Sequence, residues 1–209
     1  MATLQDVETA QAAGDFATAR ARCAALARGG DPLAMQRLGQ WHASGDAGVT
    51  RDPGLAAYWF FQAWQAGLNA AETDIIRVRA DLEAAAADGS ADAQNALGLL
   101  LCFGHDEPAA AAEWFQLAAE QDHPESLRSL GFLMESGRGV PPDEARAAEC
   151  YRRAAELGDP FAQFNYAMLL EQGRGVERNL SAAIRWLEAA AAQGMADAAA
   201  ALAELKAQG

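Results

Sequence analysis

Lysine is almost missing from this chain: of 16 basic residues, Lys206 alone is not arginine. Set against 29 acidic residues, that leaves a formal charge of −13, which argues against a nucleic-acid backbone as the main ligand, because such binding rests on clustered basic groups. Val, Ile and Thr are sparse, Ala and Leu dominate, and the seven prolines sit mainly at segment edges. That balance favours helix over strand. No apolar run reaches the length a membrane span needs. The opening stretch, Met1 to Glu8, has neither a basic n-region nor an apolar h-region, so neither secretion nor a membrane partner is indicated.

Cys23, Cys102 and Cys150 form no CxxC pair and no even-numbered framework. Reduced thiols in a cytoplasmic setting are expected. His42, His105 and His123 have no His or Cys at i+3 or i+4, so no metal site is expected. Nor does the chain hold a Gly-x-Ser-x-Gly elbow, a P-loop, a dinucleotide fingerprint or an HExxH helix. No cofactor and no catalysis are expected.

What the chain does have is a period. The stretch from Leu130 to Val140 returns from Tyr166 to Val176, and Gly137, Val140, Ala154 and Gly158 all recur 36 positions later. A fixed period of this size marks a stacked array, in which one unit buries its apolar face only against the next. The reading is one helical-repeat domain over 1–209. It comprises a helix pair at 2–30, full repeats at 32–67, 91–122, 124–158 and 160–194, and a capping helix at 196–208. Between them, 69–89 reads as a repeat that lost its inter-helix loop, leaving one longer helix or two short abutting ones. Each repeat has a first helix (A) and a second (B).

Aligning the repeats on one another shows what each position does. Helix B carries Trp59, Trp114, Cys150 and Trp186 in one column, and Phe60, Phe115, Tyr151 and Leu187 in the next. Three places on stand Ala63, Ala118, Ala154 and Ala190. Helix A adds Leu38, Leu97, Leu130 and Tyr166, each followed by a small residue: Gly39, Gly98, Gly131 and Ala167. Large against small at i, i+3, i+4 spacing is how antiparallel helices interdigitate. These columns therefore read as core. Gly137 and Gly173 fall where a helix C-terminus wants a left-handed residue, and Asp52, Asp143 and Asn179 where helix B wants an N-cap.

These residues resemble the Sel1-like repeat, a longer-looped relative of the tetratricopeptide repeat. The pattern is Leu-Gly, then Gly-x-Gly-Val, a capping Asp or Asn, then Ala-x-x-Trp/Tyr-x-x-x-Ala-Ala-x-x-Gly. Gly137 to Gly158 and Gly173 to Gly194 carry it most fully, and the opening pair around Gly14 and Asp15 looks more like a plain tetratricopeptide unit. The resemblance implies an all-α, right-handed α/α superhelix of stacked antiparallel helix pairs, with the A helices lining a concave face. It also implies adaptor or scaffold roles. Some secreted bacterial members are linked to penicillin binding or β-lactamase activity, but they carry paired cysteines in each repeat, which this chain does not.

If the A helices line a groove, register places Leu33, Gln36 and Gln40, then Asp92, Asn95 and Leu99, then Glu125, Arg128 and Phe132, and lastly Phe161, Phe164 and Met168 toward it. We expect Phe132, Phe161, Phe164 and Met168 to form an apolar patch, framed by Asp92, Glu125, Glu135 and Glu171, with Asn95, Leu99 and Arg128 as neighbours. The occupant would be a protein or peptide, a helix or extended segment with apolar anchors and basic flanks. The plain alternative is that Phe161 and Phe164 belong to the inter-repeat core. The Lys and Asn residues with which some tetratricopeptide domains grip a C-terminal carboxylate are not matched, since Gln36, Asn95 and Arg128 leave only a partial polar set.

A further alternative rests on charge. Between Ala80 and Leu127 there is no Lys or Arg, while acidic residues run from Asp81 to Glu125. This is either a solvated face or a docking surface by which a regulatory or chaperone-like subunit would hold a basic partner.

Overall fold

The computed structural model describes residues 3–207, so the expected start of the first pair at residue 2 and the end of the capping helix at residue 208 lie outside it. Among the described residues every regular element is helical. The chain divides into two compact units, Met1–Leu100 and Leu101–Gly209.

The first unit holds α1 (Leu4–Ala12), α2 (Phe16–Arg28), α3 (Pro32–Ser44), α4 (Pro53–Gln65), α5 (Ala70–Ala87) and α6 (Ala91–Leu99). Consecutive helices pack on each other, and α4 also packs directly on α6. Residues 70–87 form one continuous helix, which settles the choice between one long helix and two short ones. α6 comes close to α4 across this helix: a Cβ on Gly54 would lie 2.6 Å from the Ala93 nitrogen, so only glycine permits that approach.

After α6 the chain continues through a π-helical turn at Leu100–Gly104. The second unit holds α7 (Pro108–Glu120), α8 (Pro124–Ser136), α9 (Glu144–Glu156), α10 (Pro160–Gln172), α11 (Leu180–Ala192) and α12 (Ala196–Ala207), each packed on the next. Stacked antiparallel pairs of this kind are the α/α solenoid class that the repeat pattern implies.

Local chemistry explains the boundaries. Asp15, Asp31, Asp52, Asp143, Asp159 and Asn179 each accept a hydrogen bond from a first-turn backbone N–H of the helix that follows, worth about 1 kcal/mol apiece. Pro32, Pro53, Pro108, Pro124 and Pro160 open helices where their missing N–H costs nothing. Gly45, Gly137 and Gly173 close α3, α8 and α10 in the left-handed region.

The core columns behave as expected. Phe60, Phe115, Tyr151 and Leu187 are buried, as are Ala63, Ala118, Ala154 and Ala190. Each large side chain contributes roughly 1.5–3 kcal/mol through burial. The tryptophan column lies at the flank of this face: Trp59 and Trp186 are partly buried and pack against the cores of their own units. Trp41 is buried outright. The small residues of helix A are matched to what faces them. A Cβ on Gly39 would sit 2.5 Å from the Phe60 ring, and one on Gly131 would sit 3.0 Å from the Tyr151 ring. Where the facing residue is Leu187, helix A affords Ala167.

The second glycine of the Gly-x-Gly loop has a separate task. A Cβ on Gly139 would meet the backbone at Pro108 and Ala109, and one on Gly175 would overlap the Glu144 carbonyl and lie 2.9 Å from the Ala145 nitrogen. Each loop therefore rests on the first turn of the preceding helix B. The arginine between the glycines completes that contact. Arg138 reaches the Cys102 carbonyl and the Asp106 carboxylate, and Arg174 reaches Glu144 at 2.9 Å and Glu135 at 3.0 Å.

Candidate partner-binding surface

Three of the expected groove residues come together in the second unit. Arg128 and Phe132 lie one turn apart on α8, so they share a face. The Arg128 guanidinium sits 5.3 Å from the centre of the Phe161 ring, at the start of α10. It also donates to Glu125 at 3.1 Å and to Asp159 at 3.3 Å. Asp159 thereby does two things at once: its other oxygen caps α10 through the Ala162 N–H at 2.7 Å. The aromatic rings remain open to solvent, Phe132 at 44% exposure and Phe161 at 55%. A cation over an aromatic face adds about 0.5–1 kcal/mol at an exposed site. The result is an exposed surface with the Arg128 guanidinium stacked on the Phe161 ring, Phe132 one turn away on α8, and the positive charge balanced by two carboxylates.

The other expected residues are placed differently. Phe164 is half-buried and packs against the core that holds Tyr151, Tyr166 and Leu187, as the plain reading allowed. Met168 is half-buried on the same helix. Asn95 and Leu99, at 2% and 5% exposure, offer no surface to a partner. Their helix, α6, packs against both α4 and α5, so a register that faces outward on α8 does not do so here. Glu135 accepts from the Tyr151 hydroxyl at 3.0 Å as well as from Arg174, which makes it a brace between repeats. Burial, and then the Glu135 charge, push the Tyr151 phenol far above its ordinary range. Glu171 is half-buried, and its backbone carbonyl accepts from Arg178 at 2.8 Å. In the first unit Leu33 is exposed, while Gln36 is engaged with Asp74 at 2.6 Å.

The acidic stretch is less bare than its sequence. Arg138 pairs with Asp106, Arg153 with Asp122 and Arg128 with Glu125, while Arg51 and Arg79 hold Asp81 and Glu83. The partners of Asp106 and Asp122 come from the following repeat, about one period away, which a linear charge count does not register. Exposed pairs of this kind contribute little stability, up to about 1 kcal/mol each.

The three thiols are buried and unpaired with one another. Burial raises all three above the ordinary thiol range, Cys23 to about 11. A thiol held protonated in this way is a packing group and not a primed nucleophile. No helix among the described residues is long and apolar enough to cross a membrane.

One feature had only a faint signal in the sequence. A cleft of about 470 Å³ opens among α7, α8, the loop after Gly137 and the start of α9.

Comparison with known proteins agrees with the repeat reading. The Sel1 repeat profile matches residues 32–68, 91–123, 124–159 and 160–195. A Sel1 repeat protein from Oxalobacter formigenes is similar in structure, with 35% identity, a TM-score of 0.56, and coverage of 61% of this chain and 98% of that one. The protective antigen c5321 of uropathogenic Escherichia coli, which displays an SLR fold, has 23% identity and a TM-score of 0.59; the match covers 96% of this chain and 50% of that protein. Cysteine rich protein B of Helicobacter pylori matches with 25% identity and a TM-score of 0.47, over 58% of this chain and 95% of its own. Among curated proteins no sequence matches.

Proposed function

Because the chain belongs to the Sel1 repeat family, whose members generally mediate protein–protein contacts, we propose that it is a non-catalytic scaffold binding a partner protein or peptide at the strip formed by Phe132, Arg128 and Phe161. The observation that carries this is the pair of large aromatic rings left open on a braced helical surface. An exposed ring stacked on a salt-bridged arginine, as Phe161 is, suits a hot spot, because less side-chain entropy remains to be lost on binding. Phe164 and Met168 extend the strip as half-buried flanks. Helices or extended peptides with apolar anchors are the fitting occupants.

The test is a comparative capture from native lysate with the wild-type chain and a Phe132→Asp/Phe161→Asp variant. Both positions are solvent-facing, so the variant should keep its melting temperature. A partner held by the wild type and lost by the variant supports the reading; one retained equally by both refutes it.

The acidic-surface reading has a separate readout. Binding that collapses with added salt and with neutralisation of Asp106, Glu107, Glu113 and Glu120 would favour it. The ion pairs already made by Asp106, Asp122 and Glu125 leave that surface with less charge than its sequence suggests. A hydrolase acting on a β-lactam would show turnover of nitrocefin, which the scaffold reading forbids.

A further inference from the structure

The most exposed large apolar side chain among the described residues is Ile76 of α5, at 67% exposure. It does not stand alone. Thr73, Ile76, Ala80, Ala84 and Ala87 recur at intervals of three and four, so they share one face of the helix, and all five are exposed. The opposite face, with Ile75, Val78, Leu82 and Ala86, is buried where α5 packs on α4 and α6. Exposed charges border the outer face on both sides. At about 100° per residue, Arg77 and Asp81 fall along one edge, and Arg79 and Glu83 along the other. Within the chain Arg77 pairs with Asp74 at 3.0 Å, Arg79 with Glu83 at 2.8 Å, and Asp81 with Arg51.

This pattern is its own complement. When two copies of a helix run antiparallel about a two-fold axis, each edge of one meets the same edge of the other in reverse order. Centred on Ala80, that operation sets Ile76 beside Ala84 of the second copy, Thr73 beside Ala87, and Ala80 beside itself. Arg77 then comes within about 3 Å, along the axis, of Asp81 of the second copy. On the other edge Arg79 comes equally close to Glu83, and the symmetry repeats each pair. The small side chains let the helices approach to the short end of the packing range, about 8 Å between axes.

We propose that this face joins two copies of the chain, α5 lying antiparallel on its counterpart about a two-fold axis at Ala80. The four reciprocal ion pairs offset part of the repulsion between two chains that each carry a charge of −13. One helix of about 27 Å from each copy makes a small interface, so the association is reversible and concentration-dependent.

The test is sedimentation velocity of the full chain from micromolar to near-millimolar concentration, where a shift from monomer to dimer is expected. Ile76→Asp and Ala80→Glu, both at exposed positions, should keep the melting temperature. Each should weaken dimerisation about a hundredfold, since symmetry places the change in both copies. The Phe132→Asp/Phe161→Asp variant is altered only in the other unit and should dimerise like the wild type, which separates this result from that of the binding strip. A short bis-maleimide then reads the register, the native thiols being buried. It should join Ala80→Cys chains to one another and Thr73→Cys chains to Ala87→Cys chains. It should not join Ala87→Cys chains to themselves, because those sites would lie about 21 Å apart. A monomer at every concentration, a dimer that survives Ile76→Asp or Ala80→Glu, or self-joining of Ala87→Cys chains would overturn the proposal.

Discussion

Replacing Gly175 by alanine should be among the most damaging single-methyl changes in the chain, and the reason is specific. Gly175 has φ +64, a conformation that costs an alanine about 1–2 kcal/mol. Its Cβ would also overlap the Glu144 carbonyl and lie 2.9 Å from the Ala145 nitrogen. Those are backbone atoms at the start of α9, so no rotamer change relieves them; helix and loop must part, at a further cost of about 1–3 kcal/mol. The displacement would also stretch the Arg174 pairs with Glu144 and Glu135. Gly158→Ala isolates the first contribution, since Gly158 has φ +96 and nothing within 4 Å of an added Cβ. We expect losses of about 3 kcal/mol for Gly175→Ala and about 1 kcal/mol for Gly158→Ala. In a protein of this size that corresponds to roughly 9 °C against roughly 3 °C in melting temperature. Urea unfolding followed by far-UV circular dichroism measures the difference. Equal losses would mean that the loop does not rest on the preceding helix as described.

Gly39→Ala should destabilise despite gaining about 1 kcal/mol of helix propensity, because its Cβ would press on the buried Phe60 ring; Phe60→Leu in the same chain should relieve much of the loss, measured as a double-mutant cycle. Asp122 occupies a positive φ of 57 where neighbouring repeats end helix B in glycine; Asp122→Gly should therefore match or slightly exceed wild-type stability although it forfeits the Arg153 pair, whereas Asp122→Ala should lose about 1 kcal/mol or more in urea unfolding. The thiols should resist a disulfide reagent at pH 8 in the native protein and react on unfolding. Cys23, raised from 9.0 to about 11 by burial, stabilises the fold fully below pH 9. That contribution is lost as pH climbs toward 11, so the urea midpoint should fall over this range, and Cys23→Ala should flatten the fall.

Much of the fold was legible because the repeats annotate one another. Phe60, Phe115, Tyr151 and Leu187 could be assigned to the core from their shared column, and the N-caps of α4, α9 and α11 from the shared column of Asp52, Asp143 and Asn179. Less legible was anything set by the angle between neighbouring helices. Asn95 and Leu99 stand in the register of Arg128 and Phe132, yet α6 is enclosed where α8 is open, because α6 packs on both α4 and α5. Phe164 and Phe161 are three residues apart on one helix, yet one packs against the core and the other faces solvent. The second glycine of each loop carried a signal in its recurrence, but its cause lies in a backbone 30 residues away. Within the candidate strip, the stacking of Arg128 on Phe161 had no counterpart in composition or spacing.

The fit of Gly39 to Phe60, Gly131 to Tyr151 and Ala167 to Leu187 bears on how such a chain can change over time. A helix bearing Tyr151 set opposite Ala167 would find a methyl where its native neighbour leaves a hollow, and Leu187 opposite Gly131 would leave that hollow vacant. Recombination that cuts in the loop after the first helix separates lock from key; a break after the second transfers both. Copying and trading of segments should therefore succeed by whole cassettes and fail by halves.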